Sequence, residues 1–232
     1  MTTTPAGGPP LTERDVTFLI ADLAGFTALT EIHGSRYAAW VISRYLALVR
    51  ATLAPAARLA ERVGDAVLIV APEAVSAVRT AVDLRAATER ESLFPLLRLG
   101  VHGGPVVELE GSYFGTPLNL TARLTTYAVP GQILCTDAVA VAASRLEGLE
   151  FRSLGLVRLK NILAPVAIFE VVVAARRPQQ TDLIDPVCQM RIDPVTTAAQ
   201  FTHDGRTYHF CSPECARTFT SRVEGPGGST WT

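Results

Sequence analysis

An α+β fold built on a β-α-β-β-α-β core is predicted for most of this 232-residue chain by three observations. Short apolar runs of strand length alternate with longer stretches of helical period in that order. Two of those runs flank Gly64-Asp65 as a hairpin. Hydrophobic residues make up 48% of the chain and charged residues 19%, enough apolar material for a packed core.

Residues 1–12 are rich in Thr, Pro and Gly and read as a disordered leader. Val16 to Ala21 (VTFLIA) is a partly β-branched apolar run, and it ends at Asp22. The segment DLAGFT then turns into a helical pattern centred on Tyr37 to Arg50. Arg58 to Val63 and Ala66 to Ala71 form the hairpin. Glu73 to Arg90 is helical, and Leu97 to Val107 reads as a strand broken at Gly100 and at Gly103-Gly104. Asn119 to Ala128 reads as a helix stopped by Pro130-Gly131. Gln132 to Cys135, Phe151 to Leu159 and Val166 to Val173 complete the strands. The expected sheet carries its helices on one face.

Composition narrows the function. The formal net charge of −1 argues against a nucleic-acid partner, which needs a basic face. No run approaches the ~18 to 20 apolar residues of a membrane span, and the N-terminus lacks the pattern of a secretory signal, so a cytoplasmic protein with no membrane partner is expected. Four cysteines are too few for a disulfide scaffold, and three of them crowd the last 45 residues, a metal-site pattern. The polar segment Ala175 to Ile184 separates them from the rest.

Asp22 at a strand end and Asp65 in a hairpin turn are placed so that two carboxylates converge on one hard divalent cation, which takes oxygen ligands. The bland alternative for each is a solvated turn residue or a helix cap. Gly25, Phe26 and Thr27 open a helix whose free N–H groups suit a phosphate. His102 reads as a strand histidine near the core and Cys135 as a small buried hydrophobe.

The segments VTFLIADLAGFTALTE, ERVGDAVLIVA, LGVHGGPVVELEGSYFGTPLNLTARL, YAVPGQILCTDAV and LVRLKNILAPVAIFEV resemble, in order, the catalytic domain of class III adenylate and guanylate cyclases. The resemblance spans about residues 13–174 and implies a ferredoxin-like βαββαβ domain. It also implies conversion of ATP or GTP to the 3′,5′-cyclic monophosphate and pyrophosphate, for second-messenger signalling. Asp22 and Asp65 match the aspartates holding two Mg²⁺ or Mn²⁺ ions. Asn119 and Arg123 match the catalytic pair that orients the ribose and stabilises charge on the α-phosphate; their spacing of four puts both on one helix face. Lys160 matches the phosphate-contacting lysine of the family, with Asn161 where glycine is usual, and joins Gly25, Phe26 and Thr27 as a phosphate-binding candidate. Active sites shared across a homodimer follow from the same resemblance.

Two base-recognition positions depart from the adenylate form, which has lysine and aspartate where this chain has Glu61 and Ser112. An acceptor at 61 suits the N1–H and N2–H₂ donors of guanine, while a degenerate or promiscuous pocket is the other reading.

Cys188, Cys211 and Cys215 have the spacing C-x22-C-x3-C, with the last two one helical turn apart, and thiolates favour Zn²⁺ or Cu⁺. His209, His203 and Met190 are the nearby choices for a fourth donor; buried structural cysteines without metal are the alternative. DPVCQMRID and GRTYHFCSPECARTF resemble a YHS domain, a small treble-clef or TRASH-like module, over about residues 184–224. Residues 175–183 then serve as linker and 225–232 as a disordered tail. The module is expected to be removable without loss of the catalytic fold. The overall expectation is a nucleotide cyclase with a metal-binding tail; the competing one is a catalytically degenerate, cyclase-like domain that binds nucleotide and senses metal.

Overall fold

The computed structural model describes residues 11–174 and 183–223. The expected leader up to residue 10, the linker at 175–182 and the tail at 225–232 lie outside the described residues.

The first unit is one twisted sheet with helices on both faces. β1 (Thr12–Leu23) lies between β3 (Ala66–Ala71) and β4 (Leu97–Leu109), antiparallel to both. With β2 (Arg58–Val63) outside β3, the first four strands take the order β2-β3-β1-β4. Helix α1 (Phe26–Thr52) connects β1 to β2 and α2 (Ala74–Thr88) connects β3 to β4, which completes the ferredoxin-like βαββαβ core. The short β5 (Ser112–Phe114) folds back on β4. Beyond β4 the sheet continues through β6 (Ile133–Thr136), β8 (Val166–Val173) and β7 (Leu149–Val157).

Alternation along the strands decides which helix each face meets. Leu19, Ala21 and Leu23 of β1 and Ile133 and Cys135 of β6 point to one side, where they pack on Val41 and Tyr45 of α1, Ala77, Val78 and Ala81 of α2, and Val139 of α4 (Asp137–Ala142). Leu134, between Ile133 and Cys135, points the other way and packs with Ile168 against Leu120 and Leu124 of α3 (Thr116–Tyr127). The expectation that all helices share one face is therefore corrected: α3 covers the opposite side. A strand buried on both faces shows only that both alternating sets are apolar, not which helix each set meets.

β4 corrects a second expectation, because it runs unbroken past Gly100, Gly103 and Gly104. Gly100 is there for close packing. A Cβ at that position would lie 2.5 Å from Thr125 Oγ1 and 2.6 Å from the Thr125 nitrogen of α3.

The second unit pairs β9 (Leu183–Ile184) with β10 (Arg191–Ile192) and β11 (Ala199–His203) with β12 (Arg206–Phe210), and ends in α5 (Pro213–Val223). It is not a loosely tethered appendage. Val187, Cys188, Met190, Phe210 and Cys215 belong to the same apolar cluster as Phe94, Leu97 and Leu29 of the first unit. The backbones also join, with Leu96 N–H donating to Gln189 O (3.1 Å) and Arg191 N–H to Phe94 O (3.2 Å). Removing the module would therefore carry a cost, since it would return apolar surface of the shared cluster to water at about 25 cal/mol per Å².

Candidate active site and metal centre

Two clusters of ionisable side chains flank one stretch of chain, Asp22 to His33. The first is built on the sheet. Asp22 sits one residue before the end of β1, opposite Arg98 of β4, and Asp65 occupies the turn between β2 and β3, where Gly64 takes the left-handed φ of +62°. The two carboxyl groups lie close enough to act on each other electrostatically. Burial first, and then the negative charge of Asp65, push the Asp22 carboxyl up to about 6, while Arg98 pulls the other way.

Asp22 opens onto a cavity of about 380 Å³ with Glu61, Arg98, Ile20, Val63 and Leu68 on its walls. One face of α3 closes it through Leu118, Ala122, Thr125 and Thr126. Asn119 and Arg123 stand in the adjacent row of that helix, about 100° around, and do not line the cavity. Asn119 lies deeper in the helix than expected, because α3 starts at Thr116 with Pro117 in its first turn. Ser112 is exposed on β5, also apart from Glu61 and the cavity. Lys160 is exposed in the turn after β7; the neighbouring Asn161 has φ +64°, a left-handed conformation that Asn tolerates almost as glycine does.

At the start of α1, Gly25 takes φ +70° and accepts the first helical hydrogen bond, from Leu29 N–H at 2.9 Å. The preceding amides, including those of Phe26 and Thr27, have no acceptor within the helix. Gly25 has a further reason to be glycine: a Cβ there would lie 2.7 Å from the carbonyl oxygen of Cys188 in the second unit.

The second cluster is sulfur-rich. Cys188 lies in the turn between β9 and β10, Cys211 just after β12 and Cys215 in the first turn of α5. The Sγ atoms of Cys188 and Cys211 are 3.5 Å apart, and those of Cys211 and Cys215 are 3.6 Å apart. The fourth member comes from the first unit: His33 Nε2 of α1 is 3.5 Å from Cys211 Sγ. All four donor atoms lie within 4.8 Å of one another. The three expected fourth donors are not part of the cluster. Met190 Sδ instead accepts a hydrogen bond from Tyr37 OH (3.7 Å), His203 stacks on Phe201, and His209 Nδ1 is buried without a hydrogen-bond partner.

Asp185, fully buried, holds the cysteine loops in place. Its Oδ1 accepts from the amides of Val187 (2.8 Å) and Cys188 (3.3 Å), and its Oδ2 from the amide of Cys211 (2.9 Å). Hydrogen bonds from the Cys188 and Cys211 thiols pull the Cys215 thiol down from its ordinary value.

Three residues of these sites escaped the sequence reading. Arg98 interrupts the apolar L-R-L of β4, and its Nε is buried without a hydrogen-bond partner. Asp185 precedes Pro in D-P-V-C, a turn-forming context. His33 lies 178 positions before Cys211 and has no spacing signal; only its place before Gly34, where α1 breaks at φ +79°, sets it apart. His102 pairs through its Nδ1 with Thr136 Oγ1 at 2.9 Å, and Cys135 is a buried free thiol in the sheet.

Residues 183–222 match the YHS domain family. A pH-sensitive adenylate cyclase from Mycobacterium tuberculosis is 35% identical over 170 residues, 72% of this chain and 43% of that protein. The chain spans about two fifths of the length of the first curated relatives it matches. Among solved structures, the adenylyl cyclase CyaB from P. aeruginosa superposes with a TM-score of 0.63 at 19% identity, covering 75% of this chain and all of that one (100%). A guanylyl cyclase superposes at 0.61 with 22% identity, over 74% of this chain and 98% of that one. At those identities the structural likeness is one of fold. Among the described residues no helix is long and apolar enough to cross a membrane.

Proposed function

We propose that this chain, in which the class III adenylyl/guanylyl cyclase catalytic fold precedes a YHS domain, is a nucleotidyl cyclase that closes ATP or GTP to its 3′,5′-cyclic monophosphate with release of pyrophosphate. The observation that carries this reading is the Asp22–Asp65 pair, of which Asp22 lines the cavity. Two carboxylates held close enough to repel one another are a poor device for stability and a good one for a hard divalent cation, which removes the repulsion. The donor set therefore fits Mg²⁺ or Mn²⁺. Such ions, held by Asp22 and Asp65, would supply charge neutralisation at the triphosphate and a more acidic ribose 3′-hydroxyl.

The remaining work falls to the chain itself. The amides of Gly25, Phe26 and Thr27 at the start of α1 offer donors to a phosphate oxygen. Arg98 adds positive charge beside Asp22. Asn119 and Arg123 supply an amide for the ribose and a guanidinium for charge developing at the α-phosphate, and Lys160 adds a cation. Asn119 and Arg123 sit outside the cavity that holds Asp22 of their own chain, which supports a homodimer whose sites combine Asp22 and Asp65 of one protomer with Asn119 and Arg123 of the other. Val63, 67% exposed on the cavity wall, and Tyr127, 49% exposed at the end of α3, give that face apolar surface for a second copy.

Glu61, a carboxylate on the cavity wall, favours guanine. Ser112, outside that cavity, favours the second reading, nucleotide binding without turnover. Purified full-length protein incubated with Mn²⁺ and either ATP or GTP separates the two. The cyclase reading expects cyclic product from at least one nucleotide, whereas binding of nucleotide with no cyclic product from either would leave the second reading.

A further inference from the structure

We propose that His33 of α1 completes a Cys₃His zinc site with Cys188, Cys211 and Cys215, and that this site ties the YHS domain to the turn that begins at Asp22. The separations are those of a tetrahedral site. Zinc–sulfur bonds of about 2.3 Å and zinc–nitrogen bonds of about 2.0 Å put tetrahedral sulfur–sulfur edges near ~3.8 Å and sulfur–nitrogen edges near ~3.5 Å. The observed separations are 3.5 and 3.6 Å between sulfurs and 3.5 Å between His33 Nε2 and Cys211 Sγ. Three thiolates and one imidazole suit zinc, because imidazole is a weaker partner for Cu⁺ than a further sulfur would be. The outer contacts are those of a built site: buried Asp185 accepts from the amides of both Cys188 and Cys211, which fixes two of the three ligand loops.

The position of His33 gives the site its consequence. α1 breaks at Gly34, with φ 79° and ψ 163°, so Phe26–His33 is a separate helical piece followed by a kink. That piece is held at both ends by the second unit. At its start the Cys188 carbonyl packs on Gly25, and at its end His33 meets the thiolates. Cys188 supplies the carbonyl at Gly25 and also belongs to the donor cluster that His33 joins, so a metal that fixes its sulfur also fixes the carbonyl pressed on the Gly25 turn. Asp22 and the phosphate-facing amides lie on the same stretch. The effect on catalysis rests on the cyclase reading above; the ligand set does not.

The test uses the full chain and readouts other than activity. Elemental analysis should give about one zinc per chain, and Co²⁺ in its place should give the strong visible bands and thiolate charge transfer of a tetrahedral sulfur-rich site. His33→Ala should weaken zinc affinity at least tenfold in a chelator competition and shift the cobalt bands, while His209→Ala leaves both unchanged. Hydrogen exchange should then show amides 24–33 opening faster after zinc removal, in step with amides 185–190. Unchanged affinity and cobalt spectrum in His33→Ala, or a disulfide in place of bound metal, would overturn the ligand assignment. Unchanged exchange at 24–33 after zinc removal would overturn the tie to the turn.

Discussion

The oxygen cluster at Asp22 and the sulfur cluster at His33 sit at the two ends of one short segment, yet they are assembled in opposite ways. Asp22 and Asp65 come together through sheet register alone, since β1 and β3 are neighbours and the hairpin turn overhangs the end of β1. The sulfur cluster needs three separate elements of the second unit and a helix of the first, with a buried carboxylate to align them. The oxygen pair is strained in the absence of a counter-ion, because desolvation and mutual charge both oppose its ionised form. The sulfur cluster has its Sγ atoms in contact, and Cys188 and Cys215 pack into the common core. On the proposed reading, one site would take a cation that arrives with substrate and the other a resident metal.

Breaking the oxygen pair should have the largest effect. Asp22→Ala or Asp65→Ala is expected to lower cyclase activity at least about 10³-fold, with circular dichroism near that of the parent, because each removes a carboxyl group, at a strand end or in a turn, rather than an apolar core side chain. Activity close to the parent in either variant would remove the carboxylates from the chemistry.

The next effect tests how the sites are shared. Equal amounts of inactive Asp65→Ala and Arg123→Ala chains, allowed to exchange, should recover about a quarter of the parent activity: about half the dimers are mixed, and each rebuilds one of two sites. Demonstrated mixing without recovery would place Arg123 on the same side as Asp65.

A smaller effect concerns the base. Glu61→Lys with Ser112→Asp restores a donor and an acceptor for adenine and should move the ratio of cyclic AMP to cyclic GMP by about tenfold, since a mismatched buried hydrogen bond costs about 1 to 3 kcal/mol. A fixed ratio in an active double variant would free both residues of base reading.

The smallest effect is on stability, and its sign opposes that on activity. The Asp22 pKa is raised from 3.8 to about 6 in the folded chain, so ionised Asp22 destabilises the metal-free protein above pH 6, and that penalty vanishes as pH falls through 6 towards 4. In chelator, Asp22→Asn should therefore be more stable than the parent at pH 8, by about 1 kcal/mol once solvent screening of this half-buried group is allowed for, and equal to it near pH 4. Denaturation of both proteins across that range reads the difference directly. A constant gap from pH 4 to pH 8 would mean that the Asp22 charge is not its source.

The same contrast explains what the sequence made legible. The βαββαβ order showed because each strand is an apolar run of the right length and because Gly64-Asp65 marks a tight turn. Asp22 and Asp65 were visible for the same local reason. The side of the sheet that α3 covers was not, since Leu134 and its neighbours Ile133 and Cys135 are equally apolar and all buried. His33 was invisible because a ligand contributed by another unit leaves no spacing pattern. Gly100 read as a strand breaker, whereas its lack of a Cβ serves the approach of Thr125. Asn161 read as a departure from a glycine position, whereas it takes a positive φ, as glycine readily does.

The central claim is that two metals of different chemistry occupy the two ends of the Asp22–His33 segment through independent ligands. Metal content measured on the full chain, on Asp22→Ala and on Cys211→Ser, with Mn²⁺ followed by paramagnetic resonance and zinc by elemental analysis, tests it most directly. Asp22→Ala should lose Mn²⁺ binding and keep about one zinc per chain, and Cys211→Ser should lose zinc and still bind Mn²⁺. Loss of both metals in either folded variant, or of neither in both, would contradict it.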